Sequence, residues 1–503
     1  MQAAHRVVKN TGILYARMAI TVFISLYSTR LILAALGVAD FGLFNLVGGV
    51  IAMLGFLNSS MAAATQRFMS FAQGAGDIEK VKRIFNMSSL LHWGIAVMVF
   101  LLLEGAGYFF FHGVLNITPN RLEDAKLIYQ FMIVSTLFTV ISVPYEAVIT
   151  SHENMLVYAV MGVIEAVLKL GIALYITYSS IDHLVMYGLL MAALSILLLI
   201  IKRIYCHRVY KECHLHVKHY YDKPLLKEMG GFAGWSLLGS STSMLTSYGQ
   251  GVIINVFFGT VVNAAQGIAT QISGQLGTFA LTMQKALNPL IVKSEGEGKR
   301  GKMLSSITFG TKASFFLLVI FAIPVYIEMP FIFNLWLKNV PNYTIVFCKL
   351  LIIRNLIEQI YVTLTTAISS VGKIKELEIC TAILNLCPLF VSYYFLNRNF
   401  SAYSVYIIYI IYALLFSFIV IYFSNKKCNL SYTDYIKNVI LRCLLSLIVI
   451  YMFSAIPSYF MNQSFIRFLS TLVITIISIV FVVPFIGLSK SEREILYNKY
   501  ILR

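Results

Sequence analysis

Ionisable residues stand inside stretches of sequence that are otherwise too apolar to face water: Arg17, Arg30, Arg67, Glu104, Glu146, Glu165, Lys169, Lys285, Arg354 and Glu358. Hydrocarbon cannot solvate such groups, so each must meet a partner, water or a ligand. Bases predominate. Arg17, Arg30, Arg67, Lys285, Lys169 and Arg354 form the candidate substrate-binding set, because unpaired cations in a transport cleft imply an anionic ligand and the arginine fork suits phosphate oxygens. A diphosphate headgroup would supply that charge. Glu104, Glu146, Glu165 and Glu358 are the candidates for ion coupling or for salt bridges. Glu165 and Lys169 are four apart, as are Arg354 and Glu358, so a helix sets each pair on one face. For these four a structural salt bridge competes with a substrate role. Arg30 falls near an outer end, where snorkelling also accounts for it. Lys285 follows Gln284 and precedes Asn288 and Pro289, and the proline is expected to kink or end its helix. Asn58, Ser59, Thr65, Gln66, Gln250, Asn255, Gln266, Gln271 and Gln275 offer sugar hydrogen bonds, or ordinary glue between helices.

The elements that carry these residues follow from composition. Of 503 residues 59% are hydrophobic and 12% charged, with 39 Lys+Arg against 22 Asp+Glu for a net charge of +17. A soluble chain carries about twice that charged fraction. The balance excludes a soluble enzyme and predicts an all-α polytopic membrane protein, since apolar stretches of about 20 residues recur throughout. They fall near 12–36, 42–70, 86–111, 127–149, 156–178, 184–201, 229–258, 263–291, 305–327, 343–370, 377–396, 402–423, 439–457 and 466–487. The first is expected to remain in the protein, because Arg17 and Arg30 interrupt it and no small-residue cleavage site follows. The seven cysteines are an odd, scattered set and read as small hydrophobes. No GxxxxGK[ST], HExxH or GxSxG pattern is present, so the sequence predicts no catalytic residues, no cofactor and no enzymatic activity. The Cys and His residues of YCHRVYKECHLHVKHYY at 205–221 lack the paired spacing of a zinc site, and no metal is expected.

About 14 spans place both termini on one side, and the bases choose it. Alternate connections carry Lys80, Lys82 and Arg83, then the cluster from Lys202 to Lys227, then Lys299, Arg300 and Lys302, then Lys373 and Lys375, then Lys426, Lys427 and Lys437. The opposite connections hold few bases (Arg121, Lys126, Lys338, Arg398 and Arg467) and hold Asp40, Glu123, Asp124, Asp182 and Glu328. Both termini are therefore expected in the cytoplasm. Because the charge follows topology, no nucleic-acid partner is expected; the 202–228 loop suits anionic lipid headgroups.

Sliding the sequence along itself without a gap brings Gly37 onto Gly259, Gly55 onto Gly277, Met61 onto Met283, Ala64 onto Ala286, Gly74 onto Gly296, Gly76 onto Gly298 and Lys80 onto Lys302, all at one offset. Each window reads as a short outer turn after a glycine, a span rich in small residues, and a basic inner loop. The expected organisation is a six-helix lobe over 1–204, a basic cytoplasmic connector over 205–228, a second, pseudo-symmetric six-helix lobe over 229–423, and two further helices with a cytoplasmic tail over 424–503. Two bundles across a cleft open alternately to each side are the architecture of a secondary transporter.

The stretch NTGILYARMAITVFISLYSTRLILAALGVADFGLFNLVGGVIAMLGFLNSSMAAATQRF, with Leu36, Gly37, Asp40, Gly42 and Phe44 after an Arg-bearing helix, resembles the polysaccharide (O-antigen and capsule type) flippases of the multidrug/oligosaccharidyl-lipid/polysaccharide exporter superfamily. The resemblance implies a V-shaped pair of six-helix lobes that flips undecaprenyl-diphosphate-linked oligosaccharide across the bacterial inner membrane, beside a glycan polymerase and ligase. It implies that cleft bases engage the diphosphate, with Arg17, Arg30 and Arg67 in the first lobe and Lys285 in the second. Sodium or proton coupling stays open, because no cation site matches residue by residue. A drug or small-metabolite antiporter of the same fold, and a nontransporting scaffold for glycan assembly, are the alternatives.

Overall fold

The computed structural model describes residues 2–52, 55–109, 111, 121–180, 182–336, 340–489 and 492–493. Lys338 and most of the expected tail lie outside the described residues, as do the side chains of Asn58 and Ser59. The secondary structure there is helical: α1 (Gln2–Ala52), α2 (Gly55–Gly74), α3 (Ile78–Phe109), α4 (Leu122–Ser151), α5 (Met155–Tyr178), α6 (His183–Val209), α7 (Lys223–Gly296), α8 (Arg300–Trp336), α9 (Thr344–Val371), α10 (Lys375–Leu396), α11 (Tyr403–Cys428), α12 (Tyr432–Tyr435), α13 (Leu441–Ser454), α14 (Ile456–Phe460) and α15 (Phe465–Val482).

Two of these helices are each two arms joined at one glycine. Gly37 has φ 75° and ψ 170°, and Gly259 has φ 74° and ψ −171°. A side-chain Cβ forbids that region, so glycine lets a helix reverse in one residue. In α7 the reversal is sharp. A Cβ at Gly251 would sit 3.7 Å from both the Asn263 and the Gln266 side chains, whereas a straight helix would separate positions 251 and 266 by about 22 Å. The short outer turns expected after both glycines are thus single residues.

The ends of α2 and of the second arm of α7 also match. Gly76 and Gly298 have φ 74° and 71°. Asp77 N–H donates to the Ala72 carbonyl and Gly76 N–H to Gln73; at the equivalent place in the second window Lys299 N–H donates to Ser294 and Gly298 N–H to Glu295. This is one helix-ending motif written twice.

The chain divides into two compact units, Arg6–Ser240 and Ser241–Arg503, the latter with Met1–His5. In the N-terminal unit α4 packs on α2, α3 and α6. Ile32, Leu36, Ile128, Ala173, Ile176, Leu184 and Tyr187 form one apolar core there. The segment expected to be a connector is partly helix, since α6 runs on to Val209. The rest docks. Buried Asn86 donates to the His214 carbonyl and accepts from His216 N–H, both at 2.9 Å, while Glu212 pairs with His152. Burial opposes ionisation of Glu212, but the His152 bond, a backbone N–H and the Gln73 side chain together hold the carboxyl below its usual range.

In the C-terminal unit α8, α9 and α11 enclose a core that includes Phe333, Phe347, Ile352 and Tyr406. Helices α13 and α15 pack on α8. Glu328 and Arg467, expected in outer connections, are instead buried and paired at 2.7 Å. Helix α8 extends well past residue 327 because this carboxylate meets its cation inside the fold.

Among the described residues ten helices are long and apolar enough to cross a membrane. Helices α2, α7 and α9 are not among them. Adding α9, the two arms of α7, and α2 taken together with the second arm of α1 makes fourteen among the described residues, the expected count. The less apolar helices are those that carry Arg67, Lys285, Arg354 and Glu358.

Candidate substrate-binding site

Arg17 lies on α1 and reaches α5. Its guanidinium carbon stands 4.5 Å from the centre of the Tyr158 ring, a stacking that holds the planar cation without neutralising it. Its Nε is buried and has no hydrogen-bond partner among the described residues. A Cβ at Gly162 would collide with that Nε, so the arginine lies directly on the α5 backbone, which only glycine permits. Positions 158, 162, 165 and 169 recur at helical spacing and share a face. Along it Glu165 and Lys169 pair at 2.7 Å. The α5 face therefore offers a stacked guanidinium, without an acidic partner among the described residues, one turn from a neutralised ion pair. Tyr158 and Gly162 escaped the sequence reading, although their spacing to Glu165 and Lys169 is a visible signal.

Arg30 is exposed on the same arm as Arg17, about 20 Å further along. Arg67 is 8% exposed, and phenyl rings surround its guanidinium: Phe68 at 4.6 Å, Phe71 at 5.3 Å and Phe232 at 5.3 Å. Such an enclosure favours packing over ligand access. Glu146 is engaged by Lys202 at 3.3 Å, and Glu104 accepts from Gln130 at 3.3 Å. The structure thus groups Arg17, Glu165 and Lys169 on one helix face and leaves Arg30, Arg67, Glu104 and Glu146 elsewhere in the N-terminal unit.

In the C-terminal unit Arg354 and Glu358 pair at 2.8 Å beside the Tyr409 ring. A second face of α9 joins the second arm of α7 through three polar contacts. Asn355 donates to the Ser273 hydroxyl at 3.0 Å, Gln284 to Gln359 at 3.3 Å, and Thr366 to Asn288 at 3.1 Å. Pro289 lies within α7, which continues to Gly296, so that proline does not end the helix. Lys285 is exposed next to buried Gln284.

Other intramembrane polar groups were missed. Lys312, inside the expected ninth span, is 1% exposed and pairs with Glu492 at 2.7 Å. His92, inside the third, is buried. Where the Gly37 turn of α1 meets the N-terminal ends of α4 and α6, Arg121 donates to Asp40, Asp124 and Asp182 at 2.7, 2.8 and 2.6 Å. These bonds raise the Arg121 pKa, led by the Asp182 contact. Asp40, the acid in the sequence resemblance, is thereby a tie between helices.

No family model matches the chain. The chain is 32% identical over 120 residues to the uncharacterised membrane protein EpsK of Bacillus subtilis (strain 168), an alignment that spans 24% of this chain and 23% of that relative. Solved structures match over far more. A MATE in complex with MaL6 is 12% identical with a TM-score of 0.73, covering 85% of this chain and 96% of the other. The outward-facing conformation of a multidrug resistance MATE family transporter of the MOP superfamily is 13% identical with a TM-score of 0.73, covering 84% and 95%. A MOP superfamily transporter from Pyrococcus furiosus Vc1, for which a binding pocket of reversed polarity is described as suggesting a different function, is 12% identical with a TM-score of 0.71, covering 84% and 95%. The chain is a multi-pass membrane protein, helical over the described residues, with the fold of the MATE transporter structures it matches.

Proposed function

We propose that this chain flips polyprenyl-diphosphate-linked oligosaccharide units across the bacterial inner membrane by alternating access, for surface polysaccharide assembly. Arg17 carries the reading: a guanidinium held by an aromatic face and a glycine, with a buried Nε left without an acceptor, suits an anion that arrives and leaves. The basic excess among the intramembrane charges and the resemblance of the first two spans support it. Arg17 is the diphosphate anchor, Arg30 a second basic station along α1, and Lys169 and Arg354 cations that exchange a glutamate for phosphate. Arg67 is the weakest of the set, given its ring of phenyl groups. Lys285 supplies a cation on the second arm of α7. Both termini face the cytoplasm, and a glycan polymerase and ligase act on the product.

The test is flipping of radiolabelled polyprenyl-diphosphate oligosaccharide in proteoliposomes. Arg17→Gln should lower the rate roughly tenfold at unchanged folded yield, as expected for one charged hydrogen bond, while Arg17→Lys retains part of it. Full activity in Arg17→Gln would remove Arg17 from the site. No flipping by the wild-type chain, across several glycans and imposed ion gradients, would overturn the proposal.

A multidrug or small-metabolite antiporter is the second reading. It draws on Glu104, which has no basic partner among the described residues. A solved structure of this fold is described as a multidrug resistance transporter. Loss of cation export in Glu104→Gln, with glycan flipping absent, would favour it.

A further inference from the structure

Helix α3 carries a buried histidine that the proposed substrate site does not use. His92 is 1% exposed and stands about 21 Å along the axis from the start of α3. Its Nδ1 lies 2.7 Å from the Ser88 carbonyl oxygen. A carbonyl can only accept, so Nδ1 carries the hydrogen and, in the neutral ring, Nε2 holds a lone pair. That Nε2 is buried and has no hydrogen-bond partner among the described residues.

The ring is joined to the contact between α2 and α3. The Ser88 hydroxyl is 3.3 Å from Nδ1 and 3.0 Å from the Thr65 hydroxyl of α2. All three residues are buried. On the helices packed against α3, the charged and titratable groups are Arg67 on α2, and Tyr129, Tyr145 and Glu146 with the acids and Lys126 of the first turn on α4. The Tyr129 hydroxyl is spent on the Leu103 carbonyl and Glu146 on Lys202. Lys223, Lys227 and Glu228 begin α7, whose Leu237 packs near Val99 and Leu103. On α3 itself Glu79, Lys80, Lys82 and Arg83 occupy the first two turns and Glu104 lies three turns beyond. None of these groups bonds the imidazole.

We propose that His92 is a proton acceptor within the bilayer, and that a proton taken up from water on Nε2 loosens the Thr65–Ser88 contact between α2 and α3. The proton adds to the Nε2 lone pair and no other bond is exchanged. The imidazolium then has two donors and, in the arrangement described, one acceptor. A buried cationic N–H without a partner is strongly disfavoured, so the protonated chain shifts toward packings that bring an acceptor or water to Nε2. Acidity thereby biases the N-terminal unit, whatever the cargo.

The test uses the full chain in lipid nanodiscs with no substrate. His92→Asn keeps an amide N–H for the Ser88 carbonyl but cannot titrate. The ring-nitrogen NMR signal lost in His92→Asn should show the Nδ1–H neutral form at about pH 8 and convert toward imidazolium on acidification to about pH 4. Over the same range amide exchange in α2 and α3, corrected for its intrinsic pH dependence, should rise by up to about tenfold per pH unit in wild type, as for opening linked to one proton, and stay flat in His92→Asn. A signal that stays neutral throughout, or identical exchange in the two proteins, overturns the proposal. Should His92→Asn fold poorly, Thr65→Val provides the assignment by shifting the same signal, and the wild-type titration decides alone.

Discussion

Gly37 and Gly259 adopt the same backbone conformation at equivalent places in the two repeat windows, φ 75° and 74° with ψ 170° and −171°. Each reverses a helix within one residue. Both are followed, at the same spacing, by another positive-φ glycine, Gly76 and Gly298, that closes the next helix. The two windows share few side chains, and what recurs is the backbone path that only glycine can take.

Alanine at Gly37 or Gly259 should therefore be costly. A side chain in that region strains the backbone by about 1–3 kcal/mol. Gly277→Ala is the control, because a Cβ there meets nothing within 4 Å and its φ is ordinary. Thermal unfolding in detergent should show both hinge variants less stable than wild type and Gly277→Ala unchanged. Equal stability in all three would mean that the reversals do not depend on glycine.

Local relationships were legible in the sequence and distant ones were not. The Glu165–Lys169 and Arg354–Glu358 pairs followed from spacing on a helix, and the structure has both. The repeat was visible because glycine is the one residue whose role in a reversal survives the loss of its neighbours' identity. Glu328 was misplaced: a carboxylate ends an apolar run on paper, and its cation, Arg467, is 139 residues away. Arg17 was identified as a candidate, but its seat on Tyr158 and Gly162 needs two helices to be packed first. Lys312 went unnoticed for the same reason, since its acid lies in the C-terminal segment.

Gly162→Ala should impair transport without touching substrate. The added methyl occupies the position of Arg17 Nε and pushes the guanidinium off the Tyr158 ring. Arginine is flexible, so folding should survive. If Arg17 holds the diphosphate, the variant should flip lipid-linked glycan several-fold more slowly and need a higher substrate concentration, in the manner of Arg17→Gln, and the double variant should be no worse than Arg17→Gln alone. Additive losses would place Gly162 and Arg17 in separate roles.

The ties made by Arg121 set a pH dependence of stability. Burial works against ionisation of Asp182, but the Arg121 bond and two amides of α6 hold its carboxyl below the ordinary value. A depressed folded-state pKa contributes stability that is fully present above the unfolded value of about 3.9 and is lost as pH falls through the folded one. Asp182→Asn keeps a cap for Leu184 and Val185 while removing the charge. The unfolding temperature of Asp182→Asn should lie below wild type by a constant margin from about pH 8 to about pH 5, and the margin should shrink below about pH 4. A margin independent of pH would assign the loss to packing rather than charge.

Glu328 and Arg467 fix the last helices to α8. Glu328 is 0% exposed; Arg467 donates to it through Nε at 3.1 Å and through a terminal nitrogen at 2.7 Å, and Thr471 adds a hydroxyl at 3.4 Å. Removing one member leaves the other as a buried, uncompensated charge, which costs about 3–5 kcal/mol, whereas replacing both with apolar residues of similar size is close to neutral. Glu328→Leu and Arg467→Met should each lower the unfolding temperature markedly, and the double variant should recover most of the loss. Flipping by that double variant then separates two roles for α13 and α15. Normal transport means that they need only be attached, by any contact that satisfies α8. Lost transport at restored stability means that the angle imposed by the Arg467 fork matters, and that the last helices take part in the movement.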